Sequence, residues 1–209
     1  MDIDLHKVFS VPVVHFKLTN HRDDLFEELH KLEKKNCSPE AWLCSLNTSF
    51  GLPDEHQNAK PAALASLKNA IEKDAAVCLQ ALGLPNNVEV CELWYNIYHQ
   101  RQNQEPHHHV MFPMPCWSGV YFYKNVTNLD ATVFQNPISA LIASWDRGYT
   151  SELFSECCAR VFTAPVSDGD VLLFPAFLSH FVPPREEDTS RITFAFNLQF
   201  KQQENQHDA

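Results

Sequence analysis

"RITFAFNLQF", residues 191–200, decides how this chain is read. In an extended strand, alternate side chains share a face. Ile192, Phe194, Phe196 and Leu198 then make one bulky apolar face. Arg191, Thr193, Ala195 and Asn197 make the other, which is cationic, small or polar. That second face either meets solvent or lines a polar cavity inside a barrel. In a cavity, an arginine beside a hydroxyl can clamp a carboxylate, because guanidinium offers paired donors in matching geometry. Just upstream, "GDVLLFPAFLSHFVPP" (169–184) sends an apolar strand into Pro175 and presents His180 ahead of a proline-rich turn. A single histidine in such a place is usually a partly buried structural residue. Its position before the strand of Arg191 gives it a second reading, as a ligand.

Working outward, residues 88–100, 116–125, 159–165 and 170–176 are further short runs rich in β-branched and aromatic residues, with turn signals such as "SDGD" between some of them. The N-terminal part differs. Residues 21–35 place Leu25, Phe26, Leu29 and Leu32 on one helical face, with Thr19 or Asn20 able to cap the start. A second helix is expected from about Pro61 to Leu82, with Leu64, Leu67, Ile71, Cys78 and Leu82 as its stripe and Gly83 as its stop. Residues 7–18 read as a short strand interrupted by Pro12, hence an edge. Residues 36–60 look irregular. Helices followed by strands predict an α+β chain whose helices back a β-sandwich or small barrel. The expected organisation is one domain over 1–209: a helical part to about residue 85, a β core over about 86–200, and a tail from 201.

The formal charge of −10 counts against a non-specific nucleic-acid binder, which needs a basic stripe. It leaves room for an anionic small substrate, since a few local cations can dominate a pocket. The seven cysteines are odd in number and show no CxxC pair, so reduced thiols in a cytoplasmic protein are the expectation. No signal peptide and no membrane-spanning run is visible.

The remaining signal is "NQEPHHHVMF", residues 103–112. In an extended segment His107 and His109 point one way and His108 the other. Two imidazoles at that spacing can reach one metal ion. A solvated histidine cluster reads equally well from these residues alone.

Together, "WYNIYHQRQNQEPHHH", "SGVYFYK", "GDVLLFPAFLSHFVPP" and "RITFAFN" resemble the Fe(II)- and 2-oxoglutarate-dependent oxygenase superfamily, and within it a group of small 2OG-Fe(II) oxygenases related to prolyl hydroxylases. The resemblance covers about residues 88–200. It implies a double-stranded β-helix (jelly-roll) core backed by the N-terminal helices. It makes His107 and His180 metal ligands, and makes Arg191 the partner of the distal carboxylate of 2-oxoglutarate, helped by Thr193 and Tyr98. Asn96 and Asn197 are expected to line the same cavity. The implied cofactors are Fe(II), 2-oxoglutarate and O2. The implied reaction oxidises, by default hydroxylates, a C–H bond of a small-molecule or amino-acid-like (or peptidyl) substrate, with release of succinate and CO2. The substrate and the oligomeric state are left open, a homodimer included; no nucleic acid or membrane partner is expected.

One departure matters. The family's usual third ligand is a carboxylate at the His-x-Asp position, and here that position is His109. Either His109 completes a three-histidine face, or Glu105 supplies the third bond, or iron binds weakly. The three-histidine face is the expectation, with His108 pointing away. Trp94, Trp117, Tyr121 and Tyr123 could wall the pocket or simply pack the core. The loops at 110–116 and 135–156 are expected near the mouth, where substrate choice is often made. Three other readings compete: a three-histidine cupin-like dioxygenase that does not use 2-oxoglutarate, a non-catalytic jelly-roll binding protein, and a zinc hydrolase with Glu105 as its base.

Overall fold

The computed structural model describes residues 10–19, 25, 39–44, 46–51, 62–110, 115–127, 131–142 and 159–201. Ten strands occur among them. They are β1 (Val14–Lys17), β2 (Asn47–Thr48), β3 (Val88–Tyr98), β4 (Gln104–His107), β5 (Trp117–Lys124), β6 (Val133–Gln135), β7 (Val161–Thr163), β8 (Asp170–Pro175), β9 (His180–Val182) and β10 (Arg191–Phe200). One helix, α1 (Ala62–Ala81), precedes β3, and a short helical turn, α2 (Ser139–Ile142), follows β6. The helix expected over 21–35 lies outside the described residues, apart from Leu25, which is helical and buried. Most of the two expected mouth loops and the tail beyond residue 201 also lie outside them.

The strands form two sheets. The larger has the order β1-β8-β5-β10-β3-β2 and the smaller β4-β9-β6-β7. Every pairing in both is antiparallel. β1 starts two residues after Pro12 and pairs only with β8, at the edge, where a missing N–H donor does least harm.

The central strand β10 is buried on both faces along residues 191–198. Its apolar face carries Phe194, Phe196 and Leu198 into a core shared with Leu67, Ile71, Ala75 and Leu79 of α1. Each such side chain removed from water stabilises by roughly 1.5–3 kcal/mol. Val90 N–H donates to Glu72 Oε1 (2.8 Å) and Thr19 N–H to Asp74 Oδ2 (2.7 Å), so α1 is tied to the sheet at two points. The helix ends where expected. Gly83 has φ 68°, its N–H donates to the Gln80 carbonyl (3.0 Å), and Leu84 N–H donates to the Leu79 carbonyl (2.9 Å). These two bonds make a Schellman cap. Leu82, read as part of the stripe, is instead exposed, because the chain leaves the helical path there.

Trp117, Tyr121 and Tyr123 do share a face of β5, and it is the core-facing one. They pack the core and do not wall the cavity. The opposite face of the sheet meets the smaller sheet, where Phe122, Leu172, Phe174 and Phe134 form a second apolar cluster.

A bulge sets which residues of β3 face which side. Asn197 pairs with Glu92 while Leu198 pairs with Val90, leaving Cys91 as the extra residue. Before it, Val88 and Val90 face the core; after it, Tyr95 and Ile97 do. Trp94, Asn96 and Tyr98 are thereby turned toward the space between the sheets.

Gly119 of β5 lies opposite Phe196 of β10, and a Cβ there would sit 2.2 Å from Phe196 Cζ. Gly119→Ala must displace a fully buried ring. It is expected to lower unfolding stability by about 1–3 kcal/mol in urea titrations, as overpacking does. An unchanged midpoint would contradict this packing.

Candidate functional site

Between the sheets lies a small, mostly enclosed cavity. β10 supplies Arg191, Thr193 and Ala195; β3 supplies Tyr98, Asn96 and Trp94 directly opposite, in the register pairs Arg191–Tyr98, Thr193–Asn96 and Ala195–Trp94. The polar face of "RITFAFNLQF" therefore lines a cavity, not solvent. Arg191, Thr193 and Asn96 are all buried.

The smaller sheet brings the histidines. His107 closes β4 and His180 opens β9, and the two are register partners. His109 lies beyond the strand, its backbone N–H held by the Ala176 carbonyl at the end of β8 (2.9 Å). The ligand nitrogens of His107, His109 and His180 all lie within 4.8 Å of one another. Ring centroids are 4.3 Å apart for His107 and His180, 5.2 Å for His107 and His109, and 5.3 Å for His109 and His180. His108 is exposed and points away, as alternation requires, and its Nδ1 accepts from Val110 N–H (3.2 Å).

Two tautomers are fixed by backbone carbonyls. His107 Nδ1 donates to the Glu105 carbonyl (2.8 Å) and His180 Nδ1 to the Leu178 carbonyl (2.9 Å). Each Nε2 is thus the lone-pair nitrogen, the arrangement that orients an imidazole for a metal. Burial drives all three pKa values down. His180 falls well below its ordinary value through burial and then the neighbouring His107. His109 falls to about 3 through burial, then His107 and His108. His107 is also lowered, chiefly by burial. Near neutrality all three rings are uncharged, which is the ligating form.

Glu105 does not join the cluster. Its Oε1 accepts from Leu43 N–H (3.0 Å). Burial pushes its pKa up, but the Cys44 thiol and the Glu105 and Leu43 backbone donors outweigh this, and the net shift is downward. The carboxylate is held toward the 42–44 segment. Among the described residues, the group of three or more side chains able to hold a metal is His107, His109 and His180.

At the other end, the Arg191 guanidinium carbon lies 4.3 Å from the centroid of the Tyr98 ring. Tyr98 O–H donates to Gln104 Oε1 (2.8 Å). Burial pushes the Tyr98 pKa up to about 12, with Arg191 opposing, so the hydroxyl stays protonated. The guanidinium and the threonine hydroxyl donate toward the cavity, which suits a carboxylate, while the one phenol hydrogen is taken by Gln104. Imidazole nitrogens suit divalent iron. The residues present therefore fit a metal ion at one end of the cavity and a carboxylate at the other.

Asn197 does not reach the cavity. It is buried beside the Cys91 bulge, where its Oδ1 accepts from Ser118 Oγ (2.7 Å) and its Nδ2 donates to Glu92 Oε2. Gln104, Thr132 and Phe174 line the cavity and carried no sequence signal: none sits in a periodic run that sets it apart.

The profile of the family described as "Putative 2OG-Fe(II) oxygenase" matches residues 92–197. A comparison with curated protein sequences finds no match. Among solved structures, the non-heme α-ketoglutarate-dependent epimerase SnoN from nogalamycin biosynthesis superposes with TM-score 0.61 at 13% identity, over 90% of this chain and 78% of that one. HygX from Streptomyces hygroscopicus, solved with nickel, 2-oxoglutarate and hygromycin B, gives 0.56 at 11% identity, over 90% and 83%. A Pseudomonas putida prolyl-4-hydroxylase gives 0.50 at 13%, over 92% and 95%. At these identities the structural likeness is one of fold.

Tyr98→Phe keeps the ring beside Arg191 and removes the bond to Gln104. With Gln104 Oε1 left buried and unsatisfied, a loss of about 1–3 kcal/mol is expected in urea unfolding. An unchanged stability would contradict the pairing.

Proposed function

The chain belongs to the 2OG-Fe(II) oxygenase family, and we propose that it is an Fe(II)- and 2-oxoglutarate-dependent dioxygenase that hydroxylates a C–H bond of a small or amino-acid-like substrate. The observation that carries this reading is the convergence of three neutral imidazoles and a buried arginine on one cavity. In this reading the whole chain is one oxygenase domain, its two-sheet core is a double-stranded β-helix, and its setting is the cytoplasm. Cys44, Cys78, Cys91 and Cys116 are thiols outside any disulfide, and among the described residues no helix is long and apolar enough to cross a membrane.

His107, His109 and His180 are the proposed iron ligands, and Arg191 and Thr193 the proposed holders of the distal carboxylate of 2-oxoglutarate, helped by Tyr98, which positions Arg191. When bound, iron and 2-oxoglutarate supply an oxidant made from O2, with succinate and CO2 as the other products. The protein's own part is placement. Carbonyls of Glu105 and Leu178 fix the imidazole tautomers. The Tyr98 ring holds the guanidinium in place, and its hydroxyl is tied to Gln104. Phe174 and Val182 keep apolar walls on the cavity. Arg191 also separates this reading from a three-histidine dioxygenase that uses no 2-oxoglutarate, since a buried cation facing the cavity would have no carboxylate to hold there.

Succinate formation from 2-oxoglutarate by the iron-loaded protein tests the proposal. His180→Ala is expected to abolish it. Arg191→Ala is expected to raise the 2-oxoglutarate KM about tenfold or more, since a charge-assisted hydrogen bond contributes about 1.5–3 kcal/mol, while iron content stays near one per chain. Full activity in His180→Ala, or an unchanged KM in Arg191→Ala, would remove that residue from the site.

A further inference from the structure

Two polar atoms of the cavity wall have no role in the proposed site. Trp94 Nε1 and Asn96 Oδ1 are both buried, and neither has a hydrogen-bond partner among the described residues. Their residues are 6% and 3% exposed and both line the cavity. Leaving such groups unsatisfied costs about 1–3 kcal/mol each. They stand two residues apart on β3, so they share a face. The register partner of Trp94 is Ala195, whose side chain has no polar atom to offer the indole. The Trp94 ring lies 5.8 Å from the ring of His109. Trp94 is therefore at the histidine end of the cavity, and Asn96, opposite Thr193, lies between it and the register pair of Arg191 and Tyr98.

The chemistry of the two atoms is complementary. Indole Nε1–H is a donor only, and the amide oxygen is an acceptor. Ionised 2-oxoglutarate offers acceptors alone. It can meet the donors of Arg191 and Thr193, but it has no hydrogen to give to Asn96 Oδ1. A single group that satisfies both atoms must accept and donate at once. Neither Trp94 nor Asn96 is charged, so a neutral group is matched better than an ion.

We propose that Trp94 Nε1 and Asn96 Oδ1 form a substrate subsite for a carboxamide, whose carbonyl oxygen accepts from the indole and whose N–H donates to the asparagine. The substrate class narrows to amide-bearing molecules: peptide-like chains or amino-acid amides. Asn96, expected from the sequence to serve the co-substrate, is a specificity residue on this account. Outward from Trp94 the aromatic surface continues through Phe50 (centroids 5.1 Å) to Trp42 (5.3 Å), a strip against which the rest of such a substrate can lie. This inference rests on the proposed function, because it takes the adjoining histidines and Arg191 as the iron and 2-oxoglutarate site.

The test uses the full chain loaded with Zn(II) in place of iron, saturated with 2-oxoglutarate. Dissociation constants are measured for N-methylacetamide and for methyl acetate, which lacks the donor, by ligand-observed saturation-transfer NMR. Saturable binding of the amide is expected, with the ester about tenfold weaker, as sites built for a hydrogen bond reject analogues lacking it. Trp94→Phe, which keeps the ring bulk, and Asn96→Leu should each weaken the amide about fivefold or more. Trp94→Phe carries the test alone if Asn96→Leu does not fold. Equal affinity for amide and ester, no saturable amide binding, or amide affinity indifferent to the variants would overturn the subsite. Calorimetric binding of 2-oxoglutarate to the same sample separates the two claims. If 2-oxoglutarate binds and the amide does not, the subsite alone is wrong. If 2-oxoglutarate does not bind, the reading beneath it is wrong.

Discussion

A central strand removed from water on both faces must meet apolar atoms on one side and satisfiable polar atoms on the other. β10 is that strand. Phe194, Phe196 and Leu198 are held by α1 and the aromatic face of β5, while Arg191 and Thr193 look into the space between the sheets. Arg191 is 1% exposed, and a guanidinium so deep calls for an anion or dense hydrogen bonding. The smaller sheet answers from across the cavity by presenting imidazoles and no carboxylate. The ends of the cavity thus differ in chemistry, with donors for an acid at one and metal-type nitrogens at the other.

The electrostatics follow from that division. The whole chain is acidic, at −10, yet its cavity joins a guanidinium to three neutral imidazoles. Glu105, the nearest carboxylate in sequence, is drawn off by Leu43 and Cys44. A divalent ion bound to the histidines would keep its full charge, which favours a dianionic co-substrate beside it. Burial keeps the imidazoles neutral and so available, and the two backbone carbonyls decide which nitrogen each presents.

Much of this was legible in residues 191–198, because the side chains on the two faces differ so sharply in size and polarity. The spacing of His107 and His109 was legible too, although His109 proved to lie past the strand end, pinned by Ala176. The end of α1 at Gly83 was readable from the residue that tolerates positive φ. The Cys91 bulge was not. A single extra residue reverses the facing of every side chain beyond it, and no residue type announces it. The fate of Asn197 depends on that bulge, since beside it the amide pairs with Ser118 and Glu92. The aromatic residues of β5 were ambiguous for a different reason: core and pocket wall want the same side chains, and only tertiary packing separates them. Trp94 and Asn96 were candidates for the cavity from the sequence, but their unpartnered polar atoms show only in the packed structure.

The most direct measurement is anaerobic. Fe(II), then 2-oxoglutarate, is added to metal-free protein, and the visible spectrum is recorded for the native chain and for His109→Ala. A site built from three histidines and Arg191 is expected to give a weak charge-transfer band in the native chain, saturating at one 2-oxoglutarate per iron and lost in the variant. Bound iron with no band on adding 2-oxoglutarate, or a band undiminished in His109→Ala, would contradict it.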